Sequence, residues 1–478
     1  MRFIKKDYVR ILEWSFKITY LLLGLATFNV FLYSSPIQPL LVKLCLVLGM
    51  LTLLGRLIFF RDYIKTPGWI VLGLFCASFL LSIIVNRSYG QAASDLKWLI
   101  WTGMLFFLLY ACDSSRSVQA YKKEFTVVAH IIMIYGALSA AAGLIMMKTL
   151  YYKAWFTGDG ETMFAGFRWE RLWGIYTDPN YGGVLSTAAI LMCLYFLLEK
   201  KGLLKKFLYI IMIVLNCGYL VFSDSRTAEV CLIAAVGFWF IYSAVMKKSK
   251  IKGVCISLVV MAAFAAAFLG GSSYLKSEVS TQVQKQMDIK LKKDAAGKPK
   301  QTLNDQQTRH DKSRKQGVKD DFSSGRIALW TGGLEVWKTK PVLGTGYNSF
   351  LPFVKDRLPD SYLINNPQGE YVSLHNTYLN ILAYQGIVGF VIYAAFMILV
   401  LIRWWRGQRF VKAEDRNYIA VLSACVIIAA ISMLFLLDGL YTNSPGSFAL
   451  WTFLGYLMHY TVKEGGSFVQ IQENMEKQ

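Results

Sequence analysis

The sequence predicts an all-α integral membrane protein of about twelve spanning helices, with one long, partly helical extracytoplasmic loop between spans nine and ten. Three observations carry this. Hydrophobic residues make up 55% of the chain and charged residues 17%, with a mean hydropathy of +0.41. A soluble domain is less apolar, and its charged residues alone approach about a quarter. The apolar residues are gathered into runs of about 20, the length a helix needs to cross a bilayer. The basic residues, which give a formal net charge of +21, fall in short clusters between these runs. That pattern argues against nucleic acid as the reason for the charge and matches the cytoplasmic excess of Lys and Arg in membrane proteins.

The predicted spans cover residues 14–33, 39–60, 67–86, 98–112, 125–147, 181–199, 206–223, 227–246, 253–271, 379–402, 417–437 and 446–462. The basic N-terminus with Arg2, Lys5, Lys6 and Arg10 has no small-residue cleavage site after its apolar run, so that run reads as a retained first span. With the N-terminus in the cytoplasm, the inside connections hold Arg61 and Lys65, then Arg116, Lys122 and Lys123, then Lys200, Lys201, Lys205 and Lys206. Lys247, Lys248, Lys250 and Lys252 follow, and last Arg403, Arg406, Arg409, Lys412 and Arg416. The short outside connections are poor in basic residues. A wrong span count would break this alternation downstream of the error.

The organisation expected is a membrane domain over 1–271, a large external loop over 272–378, spans ten to twelve over 379–462, and a cytoplasmic tail over 463–478. Within the loop, 282–321 is rich in Lys, Gln and Asp and has no aromatic residue, the composition of solvated helix or disorder. From Phe322 onward Trp330, Trp337, Tyr347, Phe350 and Phe353 appear, and 322–378 is expected to fold as helices. All eight cysteines lie in or beside apolar runs, which favours small buried residues over a disulfide framework. No HExxH, CxxC, Walker or Rossmann pattern occurs, so neither a metal nor another cofactor is expected.

The chemistry-bearing residues gather at the predicted outer ends of spans. "RLWGIYTDPNYGG" brings Arg171, Asp178 and Asn180 to a helix start, where Asp178-Pro179-Asn180 either caps the helix or presents amides to an anionic or sugar ligand. "SDSRTAEV" places Arg226 at the tip of a helix hairpin, either paired with Asp224 or aimed at a lipid phosphate. In "SSGRIALWTGGLEVWKTKPVLGTGYNSF", Arg326 lies in a first helical turn, either exposed on an amphipathic helix or holding a phosphate bidentately, and Gly344 and Gly346 belong to a Gly-rich turn whose pattern alone says little of phosphate. "HNTYLNILAYQGIVG" opens with His375 and Asn376 where the loop returns to the membrane. His375 is the one histidine of four expected both outside and beside a membrane cavity.

These segments, in this order, resemble the O-antigen ligase and Wzy-type polysaccharide polymerase family over roughly residues 171–390; the Lys-rich tract at 282–321 departs from its pattern. The resemblance implies metal-independent transfer of an oligosaccharide from an undecaprenyl-diphosphate carrier. It makes Arg226 and Arg326 the family's essential arginines and His375 its external histidine, with Arg171, Asp178, Asn180, Gly344, Gly346 and Asn376 expected around the substrate. The leading expectation is a polymerase of lipid-linked repeat units in the bacterial plasma membrane, with both termini cytoplasmic and the active site outside. A ligase moving the glycan to a lipid, protein or wall acceptor is the alternative, and a lipid-linked oligosaccharide transporter a distant one. The expected partners are the lipid-linked donor, a glycan acceptor and membrane lipid, with a chain-length regulator and a flippase beyond them, and no nucleic acid.

Overall fold

A computed structural model of the protein describes residues 5–157, 162–199, 201–246, 250–295, 325–366 and 369–476. Its longer helices are α1 (Lys6–Thr27), α2 (Ile37–Ile58), α3 (Trp69–Val85), α4 (Ala92–Met104) and α5 (Val118–Lys148). Three strands follow, β1 (Tyr152–Phe156), β2 (Thr162–Arg168) and β3 (Arg171–Gly174). Then come α6 (Pro179–Glu199), α7 (Leu203–Ser223), α8 (Arg226–Met246), α9 (Lys250–Leu275), α10 (Thr281–Ala295), α11 (Arg326–Thr339), α12 (Phe350–Arg357), α13 (Thr377–Gly407), α14 (Arg416–Phe435) and α15 (Pro445–Glu476). Every predicted span falls on one of these helices, and the protein is an all-α integral membrane protein with a small sheet. Among the described residues nine helical segments are long and apolar enough to cross a membrane. The prediction of about twelve exceeds this by α1, α15 and the 17-residue α3. Residues 296–321 of the Lys-rich tract lie outside the described residues, whereas its first part, expected to be solvated helix or disorder, is the helix α10.

The chain divides into two compact units. The first comprises residues 1–27, 36–128 and 328–478. Its α1 begins eight residues before the predicted span, because charges that break the apolar run are neutralised inside the unit. Glu13 accepts hydrogen bonds from Arg56 Nε at 2.8 Å and Tyr63 Oη at 2.6 Å, and Lys17 Nζ lies 2.9 Å from Glu124 Oε2. Buried charges persist only when paired in this way. Arg56 also donates to the carbonyls of Phe107, Leu108 and Ala111. Those carbonyls end the π-helical turn Leu105–Tyr110 that extends α4, where a helix leaves acceptors without partners.

In the same unit α13 is broken at Gly386, with φ 64° and ψ −164°, a conformation essentially confined to glycine. The break frees two carbonyls and two amides, and the 341–346 loop takes all four. Thr345 N donates to Ala383 O at 3.0 Å and Gly346 N to Tyr384 O at 2.9 Å, while Ile387 N donates to Pro341 O at 2.8 Å and Val388 N to Val342 O at 3.3 Å. A Cβ on Gly386 would meet Val342 O at 2.3 Å. Gly386→Ala is therefore expected to destabilise the purified protein by more than about 2 kcal/mol. Gly73→Ala, in α3 with nothing within 4 Å of its Cβ, should be neutral or stabilising in the same thermal unfolding measurement. Equal midpoints for the two variants would remove the argument.

The second unit comprises 28–35 and 129–327. The segment between α5 and α6 forms an antiparallel sheet in the order β1-β2-β3. Its inner residues Phe167 and Leu172 pack with Met147, Tyr176, Tyr219 and Met287 of α10. β2 turns into β3 through Trp169 and Glu170, both at positive φ (54° and 57°), as a two-residue type I′ hairpin requires. Gln284 of α10 holds that turn by accepting from Glu170 N at 3.0 Å. The hairpin sets the position of Arg171, its first residue after the turn.

Candidate active site

In the second unit Arg171, Asp178 and Asn180 form one hydrogen-bonded group, and Arg326 feels the charges of Arg226 and Asp178. Arg171 donates through Nε to Ser223 O at 2.8 Å and through Nη2 to Asn180 Oδ1 at 2.8 Å. It thereby ties the end of α7 to the start of α6. Asp178 accepts from Asn180 N at 2.6 Å, the local capping bond expected before Pro179. The α7–α8 turn passes through Asp224 at φ 49°, and Ser225 accepts from Ala228 N at 3.3 Å, which fixes Arg226 as the first residue of α8. Lys276, in the π turn Lys276–Ser280 joining α9 to α10, pairs with Asp224 at 3.1 Å and with Glu229.

Arg326 opens α11 after Gly325, whose φ is 80°. Both Arg326 and Arg226 are half-buried. Burial holds the Arg326 guanidinium below its ordinary pKa; the positive charge of Arg226 adds to this, and Asp178 opposes it. The two like charges thus act on each other, and Asp178 acts on Arg326 with the opposite sign. Guanidiniums fixed in this way are preorganised for an anion with several oxygens, such as a diphosphate.

His375, Asn376, Gly344 and Gly346 belong to the first unit. His375 has a φ of 49°, and its backbone is held on both sides. Before it, Leu374 N donates to Asn380 Oδ1 at 2.9 Å and Leu374 O accepts from Trp330 Nε1 at 3.2 Å. After it, Asn376 caps α13 by accepting from Tyr378 N and Leu379 N. The side-chain oxygen of Asn376, selected from the sequence as a substrate contact, is engaged in this cap. Gly344 and Gly346 likewise have an internal cause. A Cβ at Gly344 would lie 2.5 Å from Tyr384 C, and the amide of Gly346 is used against the break in α13. Asp95 anchors the same loop, accepting from Asn348 N at 2.5 Å and Ser349 Oγ at 3.2 Å.

Asp438, between α14 and α15, was not selected from the sequence. It accepts from Leu440 N at 3.0 Å and Tyr441 N at 2.8 Å, and Asn380 Nδ2 lies 3.5 Å from its other oxygen. Asn380 Nδ2 also reaches Ser373 Oγ at 3.1 Å, the oxygen that accepts from His375 N. Burial pushes the Asp438 carboxyl up to about 6, against the lowering effect of these donors. Its signal was an acid at the end of an apolar run, a position that is costly without a role. A carboxyl raised in this way binds its proton more readily in the folded state, so stability falls as pH rises from about 4 through about 6. Asp438→Asn keeps the capping oxygen and is expected to abolish that fall, on the order of 1–3 kcal/mol, in thermal unfolding across this range. A variant retaining the parent slope would assign the dependence to another group.

Residues 211–394 match the family model described as O-antigen ligase. This O-antigen ligase region contains Arg226, Arg326, Gly344, Gly346, His375 and Asn376; Arg171, Asp178, Asn180 and Asp438 lie outside it. The chain is also 27% identical over 150 residues to the exopolysaccharide production protein ExoQ of Rhizobium meliloti (strain 1021). That match covers 29% of this chain and 32% of the relative. The protein is a multi-pass membrane protein, and its residues 211–394 are similar to the O-antigen ligase family.

Proposed function

We propose that the protein polymerises undecaprenyl-diphosphate-linked oligosaccharide repeats into a cell-surface polysaccharide, at the extracytoplasmic face of the bacterial plasma membrane and without a metal. The observation that carries this is the electrostatic coupling of Arg226 and Arg326, both inside the region that matches the O-antigen ligase model. As the anomeric bond breaks, negative charge accumulates on the lipid diphosphate, and two fixed guanidiniums stabilise it as it forms. The attacking sugar hydroxyl loses its proton to a base, for which His375 is assigned. Direct displacement of this kind inverts the anomeric centre.

The relative named for exopolysaccharide production favours the polymerase reading, and the family description favours a ligase, which uses the same donor chemistry. The test is purified protein in lipid nanodiscs with one labelled undecaprenyl-diphosphate oligosaccharide and no other acceptor. A product ladder on a gel is expected. Binding of the lipid without a ladder would favour the ligase and send the search to a second acceptor.

A further inference from the structure

At the opposite end of α13 from His375 the first unit contains a cavity of about 690 Å³. A helix of this length separates the two ends by on the order of 45 Å. Arg403, Arg406, Gly407, Arg409 and Phe410 line one side of the cavity, and Thr461, Val462 and Gly465 of α15 the other. The walls meet at Gly407, where a Cβ would come within 2.4 Å of Thr461 Cγ2. Among the described residues no carboxylate pairs with the three arginines; the neighbouring acid Glu464 is engaged by Lys412 at 2.8 Å. Directly before the arginines, Ile398, Leu401, Ile402 and Trp405 are exposed, Trp405 to 71%. An exposed Trp beside aliphatic residues marks the level at which a span leaves hydrocarbon for headgroups.

The excess of basic residues in cytoplasmic loops explains arginines at the end of a span. It does not explain three of them around one cavity with an apolar lipid-facing surface beside it. We propose that this cavity binds the phosphate headgroup of an anionic phospholipid, with the acyl chains lying along Ile398, Leu401, Ile402 and Trp405. Guanidiniums match phosphate oxygens in charge and in bidentate geometry, and basic pockets at a helix end on the cytoplasmic side are suited to such headgroups. The proposal does not depend on the glycosyltransferase reading.

The test uses the full chain in nanodiscs of phosphatidylcholine carrying a small fraction of spin-labelled or mass-labelled phosphatidylglycerol. Retention of the labelled lipid by the parent is compared with that of Arg403→Gln/Arg406→Gln/Arg409→Gln and of Arg406→Gln alone. The triple variant is expected to lose enrichment at least about tenfold, and the single variant about threefold, with the melting midpoint in pure phosphatidylcholine unchanged. If the triple variant does not fold, the single variant and Arg406→Glu carry the comparison. Equal enrichment in parent and folded variants would overturn the proposal. Soluble glycerol phosphate and inorganic phosphate form the second arm. Competition by either at millimolar concentration, without lipid enrichment, would identify a site for soluble anions and reject the lipid.

Discussion

Arg326→Ala is expected to lower kcat on an undecaprenyl-diphosphate oligosaccharide by about 10²–10³-fold, the effect of removing one preorganised charge from a transition state. The loss should fall on kcat more than on KM, because the diphosphate gains its charge as the glycosidic bond breaks. Arg226→Ala should behave alike. The double variant should lose far less than the product of the two, since both groups act on one leaving group. Arg326→Lys keeps the charge but loses the planar fork and should recover only a small part. Stability separates this role from a structural one. Arg326 is half-buried beside the like charge of Arg226, so its removal relieves that repulsion as well as removing the attraction to Asp178. The melting midpoint of Arg326→Ala should therefore stay close to that of the parent while activity collapses, as happens where a residue serves the site more than the fold. A falling midpoint with residual activity in proportion to folded protein would assign Arg326 to the fold instead.

The spans were legible because a run of about 20 apolar residues has few alternatives to crossing a membrane. The start of α1 was hidden because Glu13 read as a boundary, whereas its partners Arg56 and Tyr63 lie far along the chain. The β hairpin was hidden for a different reason. Its two-residue turn is Trp169-Glu170, not the Asn-Gly or Asp-Gly that signals a type I′ turn, and tertiary contact with Gln284 supplies what local preference does not. Arg226 and Arg326 stand out in sequence as charges beside helix starts, but their mutual field is a property of the folded unit. Gly344 and Gly346 show the limit of a glycine signal. A backbone that must approach phosphate and one that must approach another backbone call for the same residue, and here the neighbour is the break in α13. Asp438 announces itself only by its charge at the end of an apolar run; its link through Asn380 to the His375 loop required coordinates.

His375→Ala is expected to reduce turnover by about 10²–10⁴-fold, the range for a lost general base. The backbone at this residue demands a control, because φ is 49° and most side chains resist it. Asn tolerates the left-handed region, so His375→Asn preserves the turn between Leu374 and the Asn376 cap while removing the imidazole. Equal losses in the two variants, with unchanged melting midpoints, would place the effect on the ring rather than on the loop. The pH dependence of kcat then decides what the ring does. A neutral base gives activity that rises through the imidazole pKa, because only the deprotonated form accepts the hydroxyl proton. A cationic ligand for the diphosphate gives activity that falls through the same pKa, since deprotonation removes the charge. His375→Asn should flatten whichever limb the parent shows. If the limb survives in His375→Asn, the titrating group lies elsewhere, and Asp438, whose carboxyl is pushed up to about 6 by burial, is the next residue to replace.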